Sequence, residues 1–87
     1  MALGVREVQA TPNPNAMKFI LNERISGNPL SFYSLDQAKE HPLAARLLSI
    51  AGVTNVLLLG DFVTIGKNST ARWSDITNQV KKALASD

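Results

Sequence analysis

No cysteine occurs among the 87 residues. A disulfide, a thiolate nucleophile, a dithiol redox pair and a thiolate-held iron–sulfur or zinc site are therefore excluded within these residues. One histidine leaves imidazole-based catalysis and metal binding little to draw on. Aromatic residues are few: one Trp, one Tyr and three Phe. No apolar run approaches the roughly 18 residues of a membrane span. The longest, Val56-Leu57-Leu58-Leu59, has the length of a strand. Residues 1–5 lack a charged start followed by a long apolar run, so no secretory signal is expected. Asn68-Ser69-Thr70 is then a chance match to a glycosylation acceptor. A soluble cytoplasmic protein is the expectation. Neither sign of charge dominates, with nine Lys and Arg against seven Asp and Glu. The basic residues are scattered, only Lys81 and Lys82 being adjacent, which argues against a nucleic-acid stripe.

What is present is an ordinary globular composition, 45% hydrophobic and 18% charged, and a length that suits one domain over 1–87. Residues 5–10 alternate as a first strand, and Thr11-Pro12-Asn13-Pro14-Asn15 follows. Two prolines in three residues rule out helix and remove ladder donors, so this is a turn. Met17, Phe19 and Leu21 share one face of a second strand. Gly27-Asn28-Pro29 reads as a break before a short third strand over 30–33. Ser34-Leu35-Asp36-Gln37 has the form of a capping box and predicts a helical turn. Pro42 suits the first position of a further helix, whose apolar stripe is Leu43, Leu47, Leu48 and Ala51, with Gly52 as its stop.

Residues 53–59, Gly60-Asp61 and residues 62–67 predict a hairpin with a two-residue turn. Pairing Leu59 with Phe62 sets its register. One face then carries Val56, Leu58, Val63 and Ile65, and the other Asn55, Leu57, Leu59, Phe62 and Thr64. A last helix is expected over about 70–85, burying Trp73, Ile76, Val80 and Leu84. The Trp73 indole N–H is expected to reach a backbone carbonyl. The order β-β-β-α-β-β-α implies an α+β two-layer sandwich: a mainly antiparallel sheet with two helices on one face.

Four ordered segments carry a further signal. They are Thr11-Pro12-Asn13-Pro14-Asn15-Ala16-Met17-Lys18-Phe19; Pro42-Leu43-Ala44 with Leu47-Leu48 and Ile50-Ala51-Gly52-Val53; Gly60-Asp61-Phe62-Val63-Thr64-Ile65; and Trp73 with Ile76. In this order and spacing they resemble the N-terminal domain of Nfu/NifU-type iron–sulfur cluster scaffold proteins, from about residue 6 to 84. In full-length members the cluster is carried by a separate C-terminal domain with a Cys-x-x-Cys pair, which has no counterpart in these residues. The resemblance thus implies a stand-alone accessory or interaction module in cluster assembly or delivery, without thiolates of its own. Its implied partner is a cysteine-bearing iron–sulfur scaffold or recipient apoprotein.

Candidate sites each have a plainer reading beside them. Asp36, Glu40 and His41 are close in sequence and could offer transient iron a weak oxygen/nitrogen site, the alternative function; equally, Asp36 and Glu40 are solvated and His41 caps the helix that Pro42 begins. Thr11, Asn13 and Asn15 could face a partner, or simply build the turn by bonding local backbone. Lys18 is a surface charge available to a partner. Leu57, Leu59 and Phe62 form either a partner or self-association surface, or a face covered by residues 5–10, a loop or the termini. Gly66-Lys67-Asn68-Ser69 looks like a phosphate loop but lacks its spacing, its hydroxyl and its glycine-rich cradle. With no thiol and no G-x-S-x-G motif, catalysis is not expected.

Overall fold

The computed structural model describes residues 4–85. Residues 1–3, on which the reading of the chain's start partly rests, and Ser86 and Asp87 lie outside them. In chain order the elements are β1 (Val5–Ala10), β2 (Ala16–Leu21), β3 (Ser26–Phe32), α1 (Leu35–Ala38), α2 (Pro42–Leu48), β4 (Val53–Gly60), β5 (Phe62–Lys67) and α3 (Trp73–Ala85). The strands form one antiparallel sheet in the order β1-β2-β5-β4-β3. The expected α+β sandwich is what forms, with three helical segments, the first a single turn.

The hairpin sets the frame. Leu59 pairs with Phe62 across Gly60-Asp61. Gly60 holds φ 58, a left-handed value that the first central residue of a type II′ turn requires and glycine adopts freely. From this register the ladder carries side chains into rows running across the sheet. On one face run Ala10, Met17, Ile65, Val56 and Phe32, and beside them Val8, Phe19, Val63, Leu58 and Leu30. On the other run Gln9, Lys18, Thr64, Leu57 and Ser31, and beside them Glu7, Ile20, Phe62 and Leu59.

The first face meets the helices. Phe19, Val63 and Ile65 are fully buried there, against Leu43, Ala44 and Leu47 of α2 and Ile76, Val80 and Leu84 of α3. Arg46 Nη1 donates to the Ala83 carbonyl at 3.2 Å, tying α2 to the end of α3.

Local chemistry explains the helix ends. Ser34 Oγ accepts from the Gln37 amide at 3.2 Å, and Gln37 Oε1 accepts from the Tyr33 amide at 2.7 Å. This is the anticipated capping box, its return bond landing one residue early. His41 Nδ1 accepts from the Ala44 amide at 3.3 Å and so caps α2. Asn68 Oδ1 accepts from the amides of Thr70 and Ala71, at 3.1 and 2.8 Å, ahead of α3.

Several boundaries differ from expectation. The third strand begins at Ser26, and Gly27-Asn28-Pro29 is an irregularity inside it: Ser26 pairs with Gly60, and pairing resumes only at Leu30. Proline lacks a ladder donor, but on an edge strand it is accommodated where the ladder shifts. The second helix ends at Leu48 with Ser49 as its cap, so Ala51 is exposed. Gly52 (φ 95) serves the turn into β4 instead. The last helix starts at Trp73. Trp73 itself is half-buried at the rim of the core rather than inside it.

Candidate functional site

The loop between β1 and β2 is closed by its own polar groups. Thr11 Oγ1 lies 2.9 Å from the carbonyls of both Asn13 and Ala16, and accepts from the Asn13 amide at 3.2 Å. Asn13 Oδ1 accepts from the Asn15 amide at 2.9 Å. These bonds are the turn chemistry that Asn and Thr supply locally.

Long-range ties then fix the loop to the rest of the molecule. Trp73 Nε1 donates to the Pro14 carbonyl at 2.9 Å, as the sequence led one to expect of that indole. Lys67 Nζ donates to Asn15 Oδ1 at 3.0 Å and to the Asn68 carbonyl at 3.3 Å, and lies 5.7 Å from the Trp73 ring centroid. The Lys67 amide also donates to the Asn15 carbonyl at 2.8 Å. The lysine of the phosphate-loop look-alike is thus turned onto an asparagine and an indole. Sequence reasoning missed this clamp, whose partners stand 52 residues apart.

Asp36, Glu40 and His41 sit around the junction of α1 and α2. Asp36 and Glu40 are exposed, while His41 is half-buried, its ring centroid 5.4 Å from that of Phe32. Among the described residues, no three His, Asp or Glu side chains gather closely enough to hold one metal ion. His41 also lines an open cleft of about 320 Å³ with Glu23, Arg24, Ile25, Leu43 and Leu58. A second open groove, of about 600 Å³, runs beside the start of α3 past Gly52, Asn68, Thr70 and Asp75.

The structure brings Lys18, Leu57, Leu59 and Phe62 together on the outer sheet face. Leu57, Leu59 and Phe62 are half-buried, and Ile20 beside them is only 8% exposed. Ile20 nevertheless stands outside the core that the helices cover, as do the other three. The β1 strand lies at the sheet's edge, not across this face. Lys18 Nζ sits 4.1 Å above the Phe62 ring centroid, a cation–π pair made from the diagonal position. Arg6 pairs with Asp61 at 3.6 Å, and Glu7 accepts from Gln9 Nε2 at 2.9 Å. The sequence reading left Ile20 out of this cluster. The pairing of β2 with β5 reveals it, and a single strand's alternation does not.

Fold and site together define a small one-sided α+β domain: one sheet face packed by helices, the other an open apolar patch with one aromatic-held lysine. Residues 5–87 match the family described as "Scaffold protein Nfu/NifU N terminal". The chain belongs to that family. It is 36% identical over 81 residues to the Bacillus subtilis "Uncharacterized protein YpgR", covering 92% of this chain and 22% of that protein. It is 38% identical over 76 residues to the "NFU1 iron-sulfur cluster scaffold homolog, mitochondrial" of Drosophila persimilis, covering 85% of this chain and 27% of that one. The chain thus spans about a quarter of the length of these curated relatives. Among solved structures, protein SAV1430 from Staphylococcus aureus superposes with TM-score 0.82 at 23% identity, covering 92% of this chain and 96% of that one. A NifU-like protein from Saccharomyces cerevisiae gives TM-score 0.81 at 24% identity, covering 98% and 77%. These two likenesses speak to the fold. No helix of the described residues is long and apolar enough to cross a membrane.

Proposed function

We propose that this domain is a non-catalytic interaction module of iron–sulfur cluster assembly or delivery. It docks on a cysteine-bearing scaffold or recipient apoprotein and leaves cluster ligation to that partner. One conjunction carries the reading: the chain belongs to the Nfu/NifU N-terminal family, and its 87 residues contain no cysteine. Iron–sulfur clusters are held chiefly by thiolates, so a contribution from these residues runs through contact with another molecule. The open sheet face and the loop at 11–15 are the surfaces this reading assigns to that contact.

An NMR titration of the ¹⁵N-labelled domain with a purified cysteine-bearing Nfu-type scaffold, apo and cluster-loaded, tests it. Saturable shifts around Leu57, Leu59 and Phe62, or around Asn13 and Asn15, are expected. A spectrum that neither form of the scaffold moves would remove the docking role. Iron held by Asp36, Glu40 and His41 is the competing reading. Anaerobic Fe(II) calorimetry separates the two, because binding heat that disappears in His41→Ala would favour the competitor. A purified domain carrying a stoichiometric, spectroscopically visible cluster on its own side chains would overturn the proposal altogether.

A further inference from the structure

We propose that the outer sheet face seats a single amphipathic helix of a partner protein, with a carboxylate of that helix meeting Lys18. The inference rests on the docking reading above and narrows it to one surface and one kind of occupant. Three observations lead there.

The first concerns charge. Around the face, Arg6 pairs with Asp61, and Glu7 at the β1 edge accepts from the neutral Gln9 amide and keeps its charge. Among the described residues Lys18 has no carboxylate partner, and its ammonium is held 4.1 Å over Phe62. A fixed cation beside an apolar cluster complements a partner that is apolar with an acidic flank.

The second concerns size. Ile20, Phe62, Leu57 and Leu59 lie on β2, β5 and β4, three adjacent strands. At about 4.8 Å per strand that width is close to 10 Å, which matches one helix diameter. Three half-buried side chains and the nearly buried Ile20 expose far less than the roughly 800 Å² per partner of a stable interface. A self-associated dimer built on this face alone is therefore disfavoured, and transient docking of one helix fits.

The third excludes an added strand. Pairing on β1 is irregular between Val5 and Glu7, and on β3 between Ser26 and Leu30 with Pro29 inside. Irregular and proline-bearing edges resist strand addition. The opposite face of the same sheet already accepts helices across its central strands.

The test uses two synthetic amphipathic helical peptides with identical leucine stripes, one flanked by Glu and one by Lys, titrated into the ¹⁵N-labelled chain. The Glu peptide is expected to shift the amides of Lys18, Ile20, Leu57, Leu59, Phe62 and Thr64. It should bind about fivefold tighter than the Lys peptide, the size of one partly exposed ion pair. Lys18→Glu should invert that preference, and Lys18→Met should abolish it while keeping leucine-driven binding. Lys81→Glu on α3 changes net charge by the same amount as Lys18→Glu and should leave the preference in place. Equal affinity for both peptides, an equal response to the Lys81 and Lys18 changes, or shifts confined to the helices or the loop at 11–15 would overturn the assignment. A chain that takes the Glu peptide here yet ignores cysteine-bearing scaffolds keeps this inference and loses the partner proposed above. The reverse outcome keeps that partner and moves it to another surface.

Discussion

Leu57 and Leu58 are neighbours of identical chemistry on the same strand, and they live in different environments. Leu58 is 1% exposed beneath the helices, whereas Leu57 is half-buried on the open face. The same contrast runs along the whole sheet. On one face Phe19, Val56, Leu58, Val63 and Ile65 are enclosed beneath the helices; on the other Leu57, Leu59 and Phe62 are half-buried, with the Lys18 ammonium over the Phe62 ring. A strand with apolar residues on both faces is ordinary in a sheet covered on both sides. Here the described residues cover one side. The inner face therefore supplies the core, and the outer face is the one the proposed docking would use.

The largest expected effect breaks this comparison directly. Leu58→Ala should cost about 3 kcal/mol, within the usual range for a fully buried leucine. Leu57→Ala should cost about 1 kcal/mol or less, because its site is partly wet already. Urea denaturation of both variants reads the difference. Equal losses would mean that the outer face is as much a structural core as the inner one.

The next effect concerns how the inner layer is delivered to the sheet. Gly52 holds φ 95, and a Cβ there would stand 2.7 Å from the Ala71 Cβ. Gly52→Ala combines backbone strain with that approach and should cost about 2 kcal/mol. An unchanged melting temperature would show that the turn into β4 adjusts freely. Smaller still is Trp73→Phe, which keeps a ring at the rim of the core and loses the 2.9 Å bond to Pro14. About 1 kcal/mol of stability should go with it. Amide exchange in the loop at 11–15 should rise as well, and an unaltered exchange pattern would mean that Lys67 alone holds the loop.

The hairpin and both faces were legible because their determinants are local. A Gly-Asp turn sets the register, and strict alternation does the rest. The capping residues Ser34 and His41 were legible for the same reason, since a cap acts over three residues. What escaped is long-range. The placing of β1 and β3 at opposite edges depends on pairings that no window of sequence contains. Ile20 reads as the odd residue of a strand until Phe62 is set beside it. Lys67 reads as part of a loop motif until Asn15 and Trp73 are in place. The break expected at Gly27-Asn28-Pro29 was a misreading of real chemistry, because those residues interrupt the ladder while the strand continues around them. At Asp36, Glu40 and His41 the plainer of the two readings, exposed acids and a capping imidazole, was legible for the same local reason. A chain that closes one helical turn and begins another leaves the acids at the surface and turns Nδ1 of the imidazole onto the Ala44 amide.

The smallest expected effect on stability is also the sharpest test of what the outer face is for. Lys18→Met keeps a long apolar stem over Phe62 and removes the charge. The cation–π pair of Lys18 and Phe62 is partly exposed, so its removal should forfeit about 0.5 kcal/mol or less. Added apolar surface on the patch should offset part of even that. If the lysine were there to stabilise the fold, chemical denaturation would show a loss well above this figure. A near-neutral result is what the proposed docking role requires of a cation held over an aromatic ring on that face.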